Sequence, residues 1–118
     1  MNSKTPKTVK QAPNVTNMVF EKAQIRLKEI IDNCRNFKIG KTGVLVLEER
    51  RKKSDYKNTY TNIIKLYESK NKQLINELES LLIQYAIRYH RKKCDNISPH
   101  SHGKQKEEGT YRVYVVFV

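Results

Sequence analysis

Three stretches of this sequence carry side chains that could bind a phosphate group and act on it. Residues 37–43 (FKIGKTG) form a short apolar strand that runs into two glycines, where a backbone can turn tightly and approach a ligand closely. Residues 50–53 (RRKK) are four consecutive cations, and Glu79 is an acid within a leucine-rich segment. A carboxylate oxygen is a ligand that Mg²⁺ accepts. The glycine turn at 40–43 is therefore predicted to form one wall of a functional site.

The segment Gly40-Lys41-Thr42 does not extend to a P-loop. That motif requires a glycine five residues before the one that precedes the lysine, and position 35 is Arg35. A nucleotide-cradling loop is therefore not predicted here.

Composition indicates a polyanionic partner. The 118 residues suffice for one domain with a modest core. Lys and Arg number 24 against 12 Asp and Glu, giving a net charge of +12, and such an excess points to nucleic acid first and an anionic membrane surface second. Two cysteines, no signal peptide and no apolar run long enough to span a bilayer predict an intracellular protein, cytoplasmic or nuclear. Of the two polyanions we expect nucleic acid as the partner and no membrane.

Periodicity divides the chain into two parts. Residues 1–16 are a basic arm that we expect to be disordered, and residues 17–118 are a single α/β domain. The predicted elements are a helix over 17–34 capped by Asn17, a strand over 37–39, a helix that reaches Lys53, a strand over 62–69, a helix over 72–91 capped by Asn71, and a strand over 111–118. They predict a small mixed or antiparallel sheet covered by helices.

Single residues are assigned by their place in these patterns. Cys34 continues the apolar stripe of the first helix, which predicts a buried thiol. Tyr85 and Tyr89 lie on the apolar stripe of the long helix and are predicted to belong to the core, with Glu79 at the margin of that stripe. The last strand is apolar on both faces except for Arg112, so we expect it to lie within the sheet.

Three further tyrosines are not assigned by periodicity. Tyr56, Tyr60 and Tyr67 could line a cleft or stack on bases, and their spacing does not distinguish these alternatives.

The order of these elements and motifs resembles the GIY-YIG endonuclease superfamily over about residues 37–96. Residues 38–42 (KIGKT) are similar to the second half of the motif that names the family. Arg50 or Arg51 falls in the following helix, where the family keeps an arginine, and residues 78–83 (LESLLI) are similar to its glutamate-bearing helix. The resemblance implies a small α/β fold and metal-dependent hydrolysis of phosphodiester bonds in DNA.

The resemblance also implies roles for single residues. Glu79 would hold Mg²⁺ or Mn²⁺, Arg50 or Arg51 would contact the phosphate, and Tyr56 would be an auxiliary tyrosine. Lys38 takes the position of the motif tyrosine and completes the catalytic candidates. The residues expected to bind nucleic acid are Lys41, Thr42, Lys52, Lys53, Arg88, Arg91, Lys92, Lys93 and Asn96.

The chain departs from the family pattern before residue 37. The first half of the name motif is not found there, because that region has a helical pattern and contains no glycine. We therefore expect the terminal strand, which follows Gly109, to take the place of the missing strand beside residues 37–40.

Two alternatives stay open beside a DNA endonuclease. The protein could be a non-catalytic basic module that binds DNA or RNA, or an accessory or inhibitor protein that binds a protein partner through the same surface. Separately, His90, Cys94, His100 and His102 are side chains able to bind Zn²⁺, although their spacing matches no standard zinc motif.

Overall fold

A computed structural model describes residues 14–43, 46–53, 56–98 and 109–118. It is an α+β domain, as predicted. Its elements in chain order are α1 (Asn17–Asn33), β1 (Phe37–Thr42), α2 (Leu47–Arg51), β2 (Asn62–Ser69), α3 (Lys72–Tyr89) and β3 (Tyr111–Phe117).

The last strand of the chain lies in the middle of the sheet. The strand order is β1-β3-β2, and β3 is antiparallel to both neighbours. Phe37 pairs with Phe117, and Gly40 pairs with Tyr114. The prediction that the terminal strand lies within the sheet, beside residues 37–40, is confirmed. Its apolar residues on both faces suit a strand covered on both sides.

One face of the sheet packs against α1 and α3 and is called the helix face. Val113 and Val115 of β3, with Phe37 and Ile39 of β1, meet the apolar stripes of the two helices there. The stripes predicted from periodicity are confirmed, because the buried helix residues include Phe20, Ala23, Leu27, Ile31, Ile75, Leu78 and Leu82. The buried thiol predicted for Cys34 is also confirmed.

The opposite face carries a smaller core and is called the tyrosine face. Tyr114 and Val116 of β3 pack there against Tyr56 and Tyr60, with partly buried Leu47 and Ile63 beside them. Alternate residues of β3 therefore serve two separate cores, as the alternation of a strand requires.

The helix caps show where local sequence determined the element boundaries. The Asn71 side chain accepts a hydrogen bond from the backbone N–H of Leu74 at 3.1 Å, so the predicted cap of α3 is confirmed. The cap of α1 is Thr16, whose hydroxyl accepts from the N–H of Val19 at 3.2 Å, and not Asn17. Both interactions satisfy a backbone donor of the first helical turn.

The domain begins before residue 17. Val15 is buried, and Asn14 donates to the Glu77 carboxylate from its backbone N–H and from its side chain. Residues 14 and 15, which the predicted arm includes, therefore contact the folded domain. Residues 1–13 of the predicted arm lie outside the described residues.

Gly40 lies inside a strand and not in a turn. β1 continues to Thr42, and Gly40 pairs with Tyr114 across the sheet. A Cβ on Gly40 would lie 2.5 Å from Cζ and 2.9 Å from Cε1 of Tyr114. The predicted turn at 40–43 is corrected, because the glycine makes room for a tyrosine ring and does not reverse the chain.

Within the described part of the chain, no helix combines the length and the apolar character that crossing a bilayer requires.

Candidate functional site

Three tyrosines form a buried cluster on the tyrosine face. The hydroxyls of Tyr56 and Tyr114 lie 2.9 Å apart and share a hydrogen bond. The Tyr56 ring makes edge-to-face contacts with Tyr60 and Tyr114, with centroids 5.7 Å and 6.1 Å apart. Edge-to-face contact is one of the arrangements that aromatic pairs favour. These residues, called the tyrosine cluster, hold the segment after α2 onto the sheet.

Two cations approach the tyrosine cluster from different elements. The Arg50 guanidinium carbon lies 4.2 Å from the centroid of the Tyr56 ring and 5.9 Å from that of Tyr114. The Lys38 ammonium lies 5.9 Å from the Tyr56 centroid. Both are close enough for a cation–π attraction. Two cations around one ring raise the local positive electrostatic potential. An anion bound there would therefore have a favourable electrostatic energy.

The two adjacent arginines of α2 have different surroundings. Arg51 forms an ion pair with Glu48, with Nε 2.7 Å from Oε1, and donates from Nη1 to the carbonyl of Tyr60 at 3.1 Å. It therefore ties α2 to the segment that carries the cluster. Of the two predicted phosphate-binding arginines, Arg50 is the one at the cluster.

Glu79 is buried and not at a margin. It is 1% exposed, and the Lys41 ammonium lies 3.5 Å from its carboxylate oxygen Oε1. Helical periodicity placed Glu79 at the edge of the apolar stripe. It could not show that Lys41 of β1 faces this carboxylate in the folded chain. Burial raises the pKa of Tyr114, and its hydrogen bond to Tyr56 and the charge of Glu79 raise it further.

Glu79 matches a divalent cation in donor type. Mg²⁺ is commonly held by one or two carboxylates, with waters and substrate phosphates completing its ligands. The described residues contain no group of three or more His, Cys, Asp and Glu side chains suited to a metal. The Lys41 ammonium lies 3.5 Å from this carboxylate and would compete with a cation for it.

Asn96 has a structural role beside β1. Its side chain accepts from the N–H of Ile39 at 2.9 Å and donates to the carbonyl of Ile39 at 3.0 Å. Phe37 makes two further backbone bonds to the same segment, through Lys93 and Asp95. Asn96 is 4% exposed, so the nucleic-acid contact predicted for it finds no accessible amide in this structure.

The other residues predicted to bind nucleic acid differ in exposure and in partners. Four of them are exposed and can reach a phosphate, namely Lys52, Lys53, Arg88 and Lys92. Thr42, by contrast, is buried, with 5% of its surface exposed. Arg91 is exposed but donates to the carbonyl of Asn96 at 2.7 Å, and the Lys93 ammonium donates to the carbonyl of Ile31 at 2.6 Å. Lys93 thus stabilises the C-terminal end of α1.

Only part of the predicted zinc site lies in the described residues. Nε2 of His90 is 2.9 Å from the Tyr85 hydroxyl, and the Cys94 thiol lies 3.6 Å from the side-chain oxygen of Asn96. Burial raises the pKa of Cys94, which disfavours the thiolate that a metal requires. His100 and His102 lie outside the described residues, and a zinc site stays a prediction.

Sequence reasoning missed Tyr114 and Asp95. The available signal was Tyr114 itself, since a hydroxyl within a strand of valines needs a buried partner. Asp95 accepts a hydrogen bond from the Tyr60 hydroxyl at 2.6 Å and one from the Asn36 amide at 3.3 Å. Burial raises the pKa of Tyr60, and the bond to Asp95 raises it further. Tyr56 and Tyr60, left open by the sequence, belong to this second core.

Stability is expected to decrease as the pH rises above about 10. Burial raises the pKa of Tyr114, so the unfolded chain releases this proton while the folded chain keeps it. The unfolded state then binds fewer protons, and the free energy of unfolding falls by about 1.4 kcal/mol per pH unit for this residue. Urea unfolding from about pH 9 to about pH 11 would measure that slope. Tyr114→Phe should show a shallower decline, and equal slopes in both proteins would contradict the assignment.

No protein-family model, curated protein or solved structure matches this chain.

Proposed function

We propose that this protein is a divergent GIY-YIG-like endonuclease that hydrolyses phosphodiester bonds in DNA with Mg²⁺ or Mn²⁺. The observation that supports it is the convergence of Arg50, Lys38 and Tyr56 at one buried cluster. These are residues that the family resemblance connects with chemistry, and they come from three different elements or segments. The net charge of +12 adds a general attraction for a polyanion. The proposal includes an intracellular location for the protein.

Each residue at the cluster has a distinct part in the proposed reaction. Arg50 would bind the phosphate and offset the charge that builds on its oxygens. Lys38 would add a second cation on the same side. Tyr56 is 4% exposed and its hydroxyl bonds to Tyr114, so it would act as a positioning residue whose ring holds the Arg50 guanidinium in place.

The metal would bind to Glu79. Its chemistry when bound is Lewis-acid stabilisation of the phosphoryl oxygens and activation of a water. The Lys41 ammonium, 3.5 Å from the same carboxylate, would have to give up this ion pair to the metal.

Removing Arg50 tests this proposal most directly. Arg50→Ala is expected to reduce the cleavage rate of supercoiled and branched DNA by about a hundredfold, because a preorganised charge on the transition state is lost. Lys53→Ala is the matched control, since it removes one exposed cation just after α2 and should lower the rate by less than about threefold. Gel assays with Mg²⁺ and with Mn²⁺ measure both rates. Equal effects of the two substitutions would contradict a catalytic role for Arg50.

A non-catalytic nucleic-acid-binding module is the second candidate. The burial of Glu79 at 1% exposure, with Lys41 at 3.5 Å, favours it, because this carboxylate is already compensated. Such a module would bind DNA or RNA without cutting. The logarithm of its binding constant would fall steeply and linearly with the logarithm of the salt concentration. Absence of both cleavage and binding would favour an accessory or inhibitor protein that uses this surface on a protein partner.

A further inference from the structure

The end of α3 presents an exposed aromatic ring within a run of cations. Tyr89, predicted to lie in the core, is 64% exposed, because α3 extends beyond the sheet residues that cover its apolar stripe. The Arg88 guanidinium carbon lies 5.5 Å from the centroid of the Tyr89 ring. Residues 88–93 (RYHRKK) hold four Lys and Arg residues and no acid. The surface formed by Arg88, Tyr89, Arg91 and Lys92 is called the helix-end patch.

The Tyr89 ring is supported from within the domain. Its centroid lies 5.6 Å from that of Tyr85, with the rings inclined at 45°. Tyr85 is itself held in place, because its hydroxyl lies 2.9 Å from Nε2 of His90 and shares a hydrogen bond with it. The Tyr89 ring is therefore already oriented in the free protein. Stacking a ligand on it costs little additional side-chain conformational entropy.

An exposed aromatic beside cations suits one kind of polyanion. Base–aromatic stacking tolerates any sequence because every base has a π-face, and cations beside the ring bind the phosphates of the same strand. In a duplex the bases are stacked on one another, so their faces are not available to a protein side chain. The helix-end patch therefore suits an unpaired strand better than a duplex.

We propose that Tyr89 is a stacking platform for an unpaired base, with Arg88 and Lys92 binding the adjoining phosphates of a single strand. This inference rests on the proposed function and names its substrate class, which is DNA with a single-stranded branch or end.

α3 connects the helix-end patch to Glu79. Ten residues separate Glu79 from Tyr89 on one continuous helix, which corresponds to about 15 Å along its axis. An unpaired strand with a phosphate at a metal held by Glu79 would therefore reach Tyr89 within a few nucleotides.

Binding assays with matched substrates test the platform. Fluorescence anisotropy would follow labelled oligo-dT and oligo-U of about ten nucleotides, beside a blunt hairpin duplex. Tyr89→Ala is expected to weaken binding of the single strand about tenfold, whereas Tyr89→Phe, which keeps the ring, should stay within about twofold. The duplex should respond to Tyr89→Ala by less than about twofold. Met18→Ala, which removes a 77% exposed apolar side chain on α1, is the control and should change none of these affinities.

The outcomes separate this inference from the proposed function. If Tyr89→Ala leaves single-strand binding unchanged, or weakens single strand and duplex equally, the platform is refuted while DNA cleavage by the wild type still supports the nuclease. If the wild type neither binds nor cuts nucleic acid, both are refuted. An effect on oligo-dT supports the platform with DNA as its substrate, whereas an effect confined to oligo-U would overturn the assignment to DNA.

Discussion

Glu79→Gln is expected to abolish metal-dependent cleavage of supercoiled DNA while DNA affinity changes by less than about twofold. The amide keeps the size of the carboxylate but not its charge, and Mg²⁺ binds a neutral amide oxygen more weakly than a carboxylate. Arg50, Lys38 and the exposed lysines, which attract the polyanion, stay in place. Gel assays of cleavage beside filter binding of the same DNA measure the two quantities.

The matched control lies on the same helix. Glu77→Gln replaces an acid two residues earlier, and its side-chain oxygen can still accept from Asn14. This variant should cut DNA at the wild-type rate. Cleavage retained by Glu79→Gln at more than about a tenth of the wild-type rate would contradict a metal-binding role for Glu79.

Folding of the Glu79 variant needs its own measurement. The Lys41 ammonium, whose side chain is 15% exposed, loses the charge that it faces at 3.5 Å. A thermal unfolding curve of Glu79→Gln shows whether the loss of cleavage reflects chemistry or unfolding. If Glu79→Gln does not fold, Glu79→Asp provides a second test. It retains the negative charge, but its side chain is one methylene shorter. Loss of cleavage in a folded Glu79→Asp protein would then carry the same conclusion.

Gly40→Ala is expected to reduce the free energy of unfolding by about 2 kcal/mol, the usual cost of overpacking a well-filled core. The added Cβ would lie 2.5 Å from Cζ of Tyr114, and closer still to its hydroxyl oxygen. Tyr114 cannot swing into solvent without loss, because it is 1% exposed and its hydroxyl bonds to Tyr56 at 2.9 Å. Displacing the ring would also move Tyr56 away from Arg50. Urea unfolding and DNA cleavage should therefore both respond.

A double-mutant cycle identifies the cause. Tyr114→Ala removes the ring that the new methyl group meets, so adding Gly40→Ala to it should cost less than about 1 kcal/mol. Tyr114→Phe should not relieve the effect, since the ring carbons Cζ and Cε1 remain in the way. Additive destabilisation by Gly40→Ala and Tyr114→Ala would contradict this explanation and point to a backbone effect at Gly40.

The sequence by itself determined the elements and their apolar faces. The strand over 62–69, the Asn71 cap of α3 and the stripes of α1 and α3 all follow from spacing and from groups within a few residues of each other. The position of the last strand also followed, because a strand apolar on both sides has to be covered on both. These features depend on short-range geometry, namely the period of a helix or strand and the reach of a capping side chain.

Only the tertiary structure decided which residues form the candidate site. Arg50 and Arg51 are neighbours of the same type, yet one faces the tyrosine cluster and the other faces Glu48, because successive side chains on a helix point about 100° apart. Gly40 has a packing role because Tyr114, distant in sequence, pairs with it across the sheet.

The same holds for the residues whose exposure the sequence misjudged. Glu79 is buried because β1 places Lys41 against it, and Tyr89 is exposed because α3 continues beyond the core. Whether a side chain on an apolar stripe is covered depends on partners from other elements. A local pattern defines the stripe but not the elements that pack on it, so this information exists only once the chain has folded.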